Sequence, residues 1–393
     1  MYRLYVEAAK KEGQKYVNQH TYNDIFAKDF NISFFKPKKD ACDTCTSYTN
    51  STAQQKIEMQ SDYDLHHKNK TISRQLKIAD VAAATKDKTV CTACFDYQKI
   101  LATPKTENSC LYYKRKLSVM NFTIYDCGQK KGYCFCYDEN EANRGSNEVS
   151  SCLVHSAGLK VKEGITEFHL YCDNCSGQNK NKGVLAAIAY AATLSNVVFI
   201  LTFLEPGHTQ NEADSVNASI ERHAAMRQIF IPEDWYTIIR DAKVTGYPYE
   251  VITVTHTDIH NFKKLAKGLN WNAKQDKIMK DGTVKKLSRQ IRISQIKQFS
   301  VGSGEKYHAK YRTSFDEEFS TLILRTRENH VNIEKYVLLR AYESLQGVTE
   351  VKKKDLMILC ANNIIPPMHH AFYNALPTVL TKSVDDSEEV ELS

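Results

Sequence analysis

Residues 167–204 read EFHLYCDNCSGQNKNKGVLAAIAYAATLSNVVFILTFL, and their reading decides the fold. EFHLYCD (167–173) has the composition of a strand and ends at Asp173. The polar run Asn174–Lys182 is a turn. Gly183–Leu204 is a 22-residue apolar stretch, the length of a membrane span. Its two halves differ, however. The first is Ala-rich and helix-like, and after Ser195-Asn196 the chain becomes β-branched and aromatic (VVFILTFL). A buried helix over 183–194 followed by a buried strand over 197–204 fits that change better than one membrane span.

Upstream of this unit the pattern is strands. TVCTACFDYQKIL from Thr89, LYYKRKLSVMNFTIYDC (111–127) and GYCFCYDE (132–139) are three strand regions joined by short connections, which favours antiparallel neighbours. Arg144-Gly145-Ser146-Asn147 then caps a helix, EVSSCLVHSAGL. Downstream, Thr209–Arg227 follows Glu205-Pro206-Gly207 as a further helix. The order β-β-β-α-β-α-β-α predicts a mixed α/β sheet flanked by helices.

On either side the signals weaken. Residues 1–40 read as helix and then extended chain, and 52–84 as one long helix or a helical hairpin. Beyond residue 228 a smaller α/β portion is expected, with helices over 333–345 and 352–376, the last broken by a Pro-Pro turn. The expected division is a helical N-terminal region (1–88), the sheet domain (89–230), a basic and helical C-terminal region (231–380) and a disordered acidic tail (381–393).

The 393 residues carry 53 Lys+Arg against 46 Asp+Glu, a net charge of +7, with 42% hydrophobic and 25% charged residues. That composition excludes a wholly disordered chain, and 15 Gly with 8 Pro exclude a collagen-like one. Twelve cysteines would suit a secreted disulfide scaffold, but the start MYRLYVEAAKKEGQKYV has no apolar signal-peptide core. The thiols are therefore expected to be reduced or metal-bound, in nucleus or cytoplasm, with no transmembrane segment.

The placement of acids is the main functional signal. Asp96 lies inside an apolar strand, Asp173 ends the fourth strand, and Asp214 and Glu221 lie seven residues apart on the following helix. A carboxylate in an apolar strand is costly unless paired or metal-bound. Three converging carboxylates suit Mg²⁺ or Mn²⁺, and two such ions can hold the attacking and leaving oxygens of a phosphoryl displacement. Glu148 opens a helix, where an acid complements the dipole or could stand beside the metal, and His208 could orient an acid or contact substrate.

On this order of acids the chain resembles the RNase H-like fold of DDE/DDD-type transposases and integrases. The segments FFKPKKDACDTC, FDYQKILATP, RGSNEVSSCL, YCDNCSGQNKN and FLEPGHTQNEAD resemble uncharacterised proteins of animal mobile elements. The resemblance implies that the first and fourth strands are neighbours. It also implies that Asp96, Asp173 and Asp214 (with Glu212 and Glu221 as alternates for the third and Asp126 for the first) are the catalytic, metal-holding acids, acting on DNA in the nucleus, in a protein that can self-associate.

Two other features bear on function. Cys42-x-x-Cys45 and Cys91-x-x-Cys94 are thiol pairs that together would suit Zn²⁺, although residues i and i+3 of a strand face opposite ways. His66 and His67 offer another completion of a Cys42/Cys45 site. Residues 263–297 hold eleven Lys/Arg and two Asp, a local charge of +9. Lys263, Lys264, Lys267, Lys285, Lys286, Arg289 and Arg292, interleaved with Phe262 and Trp271, are candidate phosphate contacts, or simply a solvated loop. No phosphate-cradling or dinucleotide glycine motif is present, so the composition gives no support to NTPase or dehydrogenase chemistry. The expected function is metal-dependent cleavage and strand transfer on DNA. The alternatives are a catalytically inactive DNA- or protein-binding module of transposon origin and a zinc-stabilised interaction scaffold.

Overall fold

The computed structural model describes residues 1–30, 42–209, 211–278, 284–302, 306–326 and 331–380. The acidic tail at 381–393 lies outside the described residues, as do the side chains of Lys285 and Lys286. The chain forms two compact units, Met1–Thr49 and Asn50–Ser393.

The first unit holds α1 (Tyr2–Lys11), α2 (Gln19–Asp29) and most of α3 (Asp43–Asn50). Asn18 caps α2 by accepting the Thr21 N–H at 2.9 Å. Tyr5 and Tyr22 bring their rings within 4.9 Å and fasten α1 to α2. Cys42 immediately precedes α3, and its carbonyl accepts the first helical bond, from Thr46 N at 2.8 Å.

The second unit begins with α4 (Ala53–Lys86), one continuous helix rather than a hairpin. A capping box starts it: the Thr52 hydroxyl accepts from Gln55 N, and the Gln55 side chain accepts from Thr52 N. The strands then follow as β1 (Val90–Tyr97), β2 (Leu101–Thr103), β3 (Leu117–Asp126), β4 (Lys131–Asp138), β5 (Glu167–Cys172), β6 (Val198–Phe203) and β7 (Glu250–Thr253). After the separate hairpin of β8 (Asn272–Ile278) and β9 (Val284–Gln290) come β10 (Gln298–Val301), β11 (His308–Arg312) and β12 (Ser320–Ile323).

The main sheet has ten strands, ordered β12-β11-β10-β6-β5-β1-β3-β4-β7, with β2 paired to β3. β1 is parallel to β5 and antiparallel to β3, so the first and fourth predicted strands are indeed neighbours. β3 is antiparallel to β4, and β5 is parallel to β6. The architecture is the expected α/β class, a mixed sheet flanked by helices. The sheet does not stop at residue 230. β7 adds to one edge beside β4, and β10, β11 and β12 extend the other beside β6.

Helices cover both faces, which is why β3 and β4 are buried along nearly their whole length. The helices after α4 are α5 (Ser146–Lys162), α6 (Lys182–Ser195), α7 (Glu212–Ala224), α8 (Pro232–Asp241) and α9 (Phe262–Lys267). Alternate residues of β1 and β4 (Phe95, Tyr97, Phe135, Tyr137) face α5, α6 and α9 in the largest core. Cys134 and Cys136 face α7 and α8 with Val216, Ile220 and Trp235. A smaller core joins α10 (Glu350–Ala361), α11 (His370–Ala375) and the β13–β14 pair (Val348–Thr349, Thr378–Val379). The apolar stretch 183–204 is α6, turn and β6, as its composition indicated, and no helix among the described residues is long and apolar enough to cross a membrane.

Two expectations are corrected. Residues 333–345 are not a helix: one 3₁₀ turn (Ile333–Lys335) is followed by extended chain. There Asn261 N donates to Leu339 O and Ala341 N to Ile259 O, both at 2.8 Å, so tertiary pairing overrides the local helical preference. Phe262 and Trp271 do not interleave with lysines at the surface. They are 1% and 7% exposed and belong to the core.

Candidate active site

The carboxyl ends of β1 and β5 form the centre of the site. The parallel register pairs Cys94 with Tyr171, and just beyond that last pair come Asp96, near the end of β1, and Asp173, the first residue after β5, close enough for the Asp173 charge to act on Asp96. Both are half-buried. Asn211 brings the third acid. Its Oδ1 caps α7 through Ala213 N at 3.0 Å, and its Nδ2 donates to the Phe95 carbonyl at 3.2 Å. One side chain thus starts the helix and fastens its first turn to β1 beside Asp96. Asp214 stands in that first turn.

Burial, then the charges of Asp173 and Asp214, push the Asp96 carboxyl up to about 7, against a weaker downward pull from Arg144. Asp173 is held in place by its own loop: its Oδ1 accepts from Cys175 N at 3.0 Å and from Asn179 Nδ2 at 2.6 Å. Lys180, 6% exposed, donates to Asn174 Oδ1 at 2.7 Å and lies over the Phe203 ring, and burial and Lys297 lower it to about 8. The polar run after Asp173 therefore shapes the site as well as turning the chain.

The other candidates separate from this centre. Glu221 is exposed, two helical turns beyond Asp214. Asp126 is paired with Lys160 at 2.9 Å on the α5 side. Glu148 is 1% exposed and closes the α5 cap through Gly145 N at 3.0 Å, while its other oxygen accepts from the Tyr342 hydroxyl, so it serves the helix start. His208 does not face the acids. Its ring lies 5.0 Å from that of His66 and 6.1 Å from that of His67, and burial together with Lys70, His66 and Arg74 lowers it to about 4. His66 Nδ1 in turn lies 3.0 Å from Glu205 Oε1, and Lys297 holds the other Glu205 oxygen at 2.8 Å.

Cys91 and Cys94 cannot chelate one ion, because the strand turns them to opposite faces. Cys91 meets Asp126 at 3.7 Å, whereas Cys94 meets Cys127 at 3.9 Å and Glu212 at 3.2 Å. Cys94, Cys127 and Glu212 place ligand atoms within 4.8 Å of one another. Lys77 already supplies a cation there through its bond to Glu212. Among the described residues Asp96, Asp173 and Asp214 do not bring their ligand atoms that close together. Their all-oxygen donor set and the mutual repulsion at Asp96 fit Mg²⁺ or Mn²⁺.

Of the basic candidates, Lys264, Lys267, Arg289 and Arg292 are exposed and Lys263 is half-buried. The first three lysines sit on α9, which packs on α5 and α6, across the sheet from α7. Sequence reasoning missed Asn211, Asn179 and Arg144. The polar run after Asp173 was the available signal for Asn179, and nothing in the spacing marked Asn211 as the link to β1.

The family described as Domain of unknown function (DUF7869) matches residues 116–275. The match contains Asp173 and Asp214 and begins after Asp96. No curated protein matches the chain.

Proposed function

We propose that this protein cleaves phosphodiester bonds in DNA, and transfers strands, at a divalent-ion site held by Asp96, Asp173 and Asp214, as in the transposase superfamily that the chain resembles. The observation that carries the reading is the parallel pairing of β1 with β5, which ends just short of Asp96 and Asp173, with Asn211 fastening the first turn of α7 to β1 beside Asp96. Mg²⁺ or Mn²⁺, when bound, would supply Lewis acidity at the phosphoryl group. The chain's own residues do the positioning. Asn179 and the Cys175 N–H fix one oxygen of Asp173, and Asn211 sets the distance of Asp214 from β1. Lys264, Lys267, Arg289 and Arg292 are the proposed backbone-phosphate contacts, in the nucleus.

Zinc at Cys42 and Cys45 is a separate part of the proposal. The pair stands at the start of α3 with the Cys-x-x-Cys spacing that suits two ligands of one tetrahedral ion.

The test is nicking of supercoiled plasmid by the full chain in Mn²⁺. Wild type should nick, and Asp96→Asn should lower the rate by at least about 100-fold. Equal rates for the two would end the nuclease reading. Metal-independent DNA binding without any nicking would favour the catalytically inactive binding module.

A further inference from the structure

Arg144 stands out among the cations near the acids because little is bonded to it. It lies in the loop between β4 and α5, one residue before the Gly145 cap. Its guanidinium carbon sits 4.9 Å over the Tyr97 ring, and Nη2 donates to the Gln98 carbonyl at 3.3 Å. Both contacts are to the two residues that follow Asp96. Its Nε is sheltered from solvent and has no acceptor among the described residues. It makes no ion pair within 4.0 Å among them either, although its charge reaches Asp96.

The residues around the group are bonded to one another. The Tyr97 and Tyr137 hydroxyls meet at 2.6 Å, and Tyr137 donates to the Asn143 carbonyl at 2.9 Å. Asn143 N donates to the Tyr342 hydroxyl at 3.3 Å, and Tyr342 donates in turn to Glu148. A planar fork of N–H donors is thus placed over the two residues that follow Asp96, with most of its donors uncommitted among the described residues. Leaving a sheltered N–H unsatisfied costs stability, so the arrangement is better explained by an acceptor that arrives from outside. An isolated carboxylate ligand would be repelled by the acids. A phosphodiester between ions and guanidinium would not, because its two non-bridging oxygens can face each of them. Lys180 cannot play this part, being buried and bonded to Asn174.

We propose that Arg144 is the anion-gripping residue of this site, donating to a non-bridging oxygen of the phosphodiester that the acids engage. The inference rests on the reading of Asp96, Asp173 and Asp214 given above. α7 brings Asp214 from one side of the sheet edge and the β4–α5 loop brings Arg144 over Tyr97 from the other, so the phosphate lies between them.

The full chain is compared as wild type, Arg144→Ala and Arg144→Lys. Three quantities are read: thermal melting, anisotropy of a fluorescein-labelled DNA duplex in Ca²⁺ across a salt series, and plasmid nicking in Mn²⁺. Arg144→Ala should weaken duplex binding about 10-fold, reduce the salt slope by about 0.9, and lower nicking kcat/KM about 100-fold. A purely structural arginine would move the melting temperature and leave the salt slope in place. Arg144→Lys keeps the charge but loses the fork, and should recover binding more than turnover. The proposal is overturned if Arg144→Ala melts, binds and nicks as wild type. If that variant does not fold, an Arg144→Lys protein with unchanged kcat/KM overturns it instead. If wild type does not nick at all, the nuclease reading falls, and the duplex arm alone judges Arg144: equal affinities and slopes reject it.

Discussion

β1 and the strands beside it carry two aspartates in apolar surroundings, and the two are treated in opposite ways. Asp126, at the end of β3, is 2% exposed. It receives Lys160 at 2.9 Å and the Gln129 N–H at 2.9 Å, and Lys160 is itself 3% exposed over the Tyr133 ring. Every partner is supplied by the fold. Asp96, on β1, receives the Tyr97 N–H at 2.7 Å, and the charges that bear on it most are two more carboxylates. A buried acid with its cation built in is part of the architecture. A buried acid surrounded by acids calls for a cation from outside.

The sharpest way to break this contrast is to neutralise each carboxylate in turn. Asp96→Asn, Asp173→Asn and Asp214→Asn should each reduce Mn²⁺-dependent nicking by about 100-fold or more while the protein stays folded. Asp126→Asn should leave the nicking of the folded fraction within about 3-fold of wild type, because loss there acts through stability. Loss of turnover in Asp126→Asn at unchanged melting temperature would erase the distinction.

The next effect is on stability. Lys160→Met strands the Asp126 carboxylate in the core and should cost about 3–5 kcal/mol in urea unfolding, whereas Asp126→Leu with Lys160→Met together should recover most of it. A double variant as unstable as the single one would mean that the site needs charge.

The pH response of metal-free protein should separate the two aspartates again. Asp96 is raised from 3.8 to about 7, first by burial and then by Asp173 and Asp214. The folded state therefore keeps a proton that the unfolded chain releases. Stability in chelator should fall as pH rises from 4 towards 7, by roughly a few kcal/mol at most. Asp96→Asn should flatten that fall, and Mn²⁺ should offset it in wild type only. A wild-type profile as flat as that of Asp96→Asn would show that the acids do not crowd.

Much of this was legible in the sequence because its signals are local. The change from Ala-rich to β-branched composition at Ser195-Asn196 gave α6 and β6, and the alternation of β1 implied that Cys91 and Cys94 part company. The pairing of β1 with β5, which brings Asp96 and Asp173 to neighbouring strand ends, was legible only through the resemblance, since pairing partners lie far apart along the chain. What escaped was set by tertiary contact. Residues 337–341 carry helix-forming side chains but pair with 259–261, and β10 to β12 extend a sheet whose pattern had seemed complete at β6. Arg144 escaped for the same reason, because its role depends on what lies over Tyr97.

The smallest effect concerns a third carboxylate, Asp80 on α4, whose cation is a histidine. His169 on β5 places Nδ1 2.8 Å from Asp80 Oδ2 and Nε2 2.7 Å from Glu167 Oε1, and Tyr171 donates to Asp80 as well. Burial alone would lower the imidazole, but the bonds and charges of Asp80 and Glu167 outweigh it and hold it above 6.5. The folded state therefore binds this proton more tightly than the unfolded chain does. The stabilisation is complete below 6.5 and is lost as pH rises through the folded value. Partial solvent screening keeps the effect below about 1 kcal/mol. Urea unfolding at acid and alkaline pH should show wild type losing this increment relative to His169→Asn, with both proteins sharing the Asp96 contribution. If the difference between them does not change with pH, the histidine is not the cation of this pair, and α4 is held to the sheet by Tyr171 and packing alone.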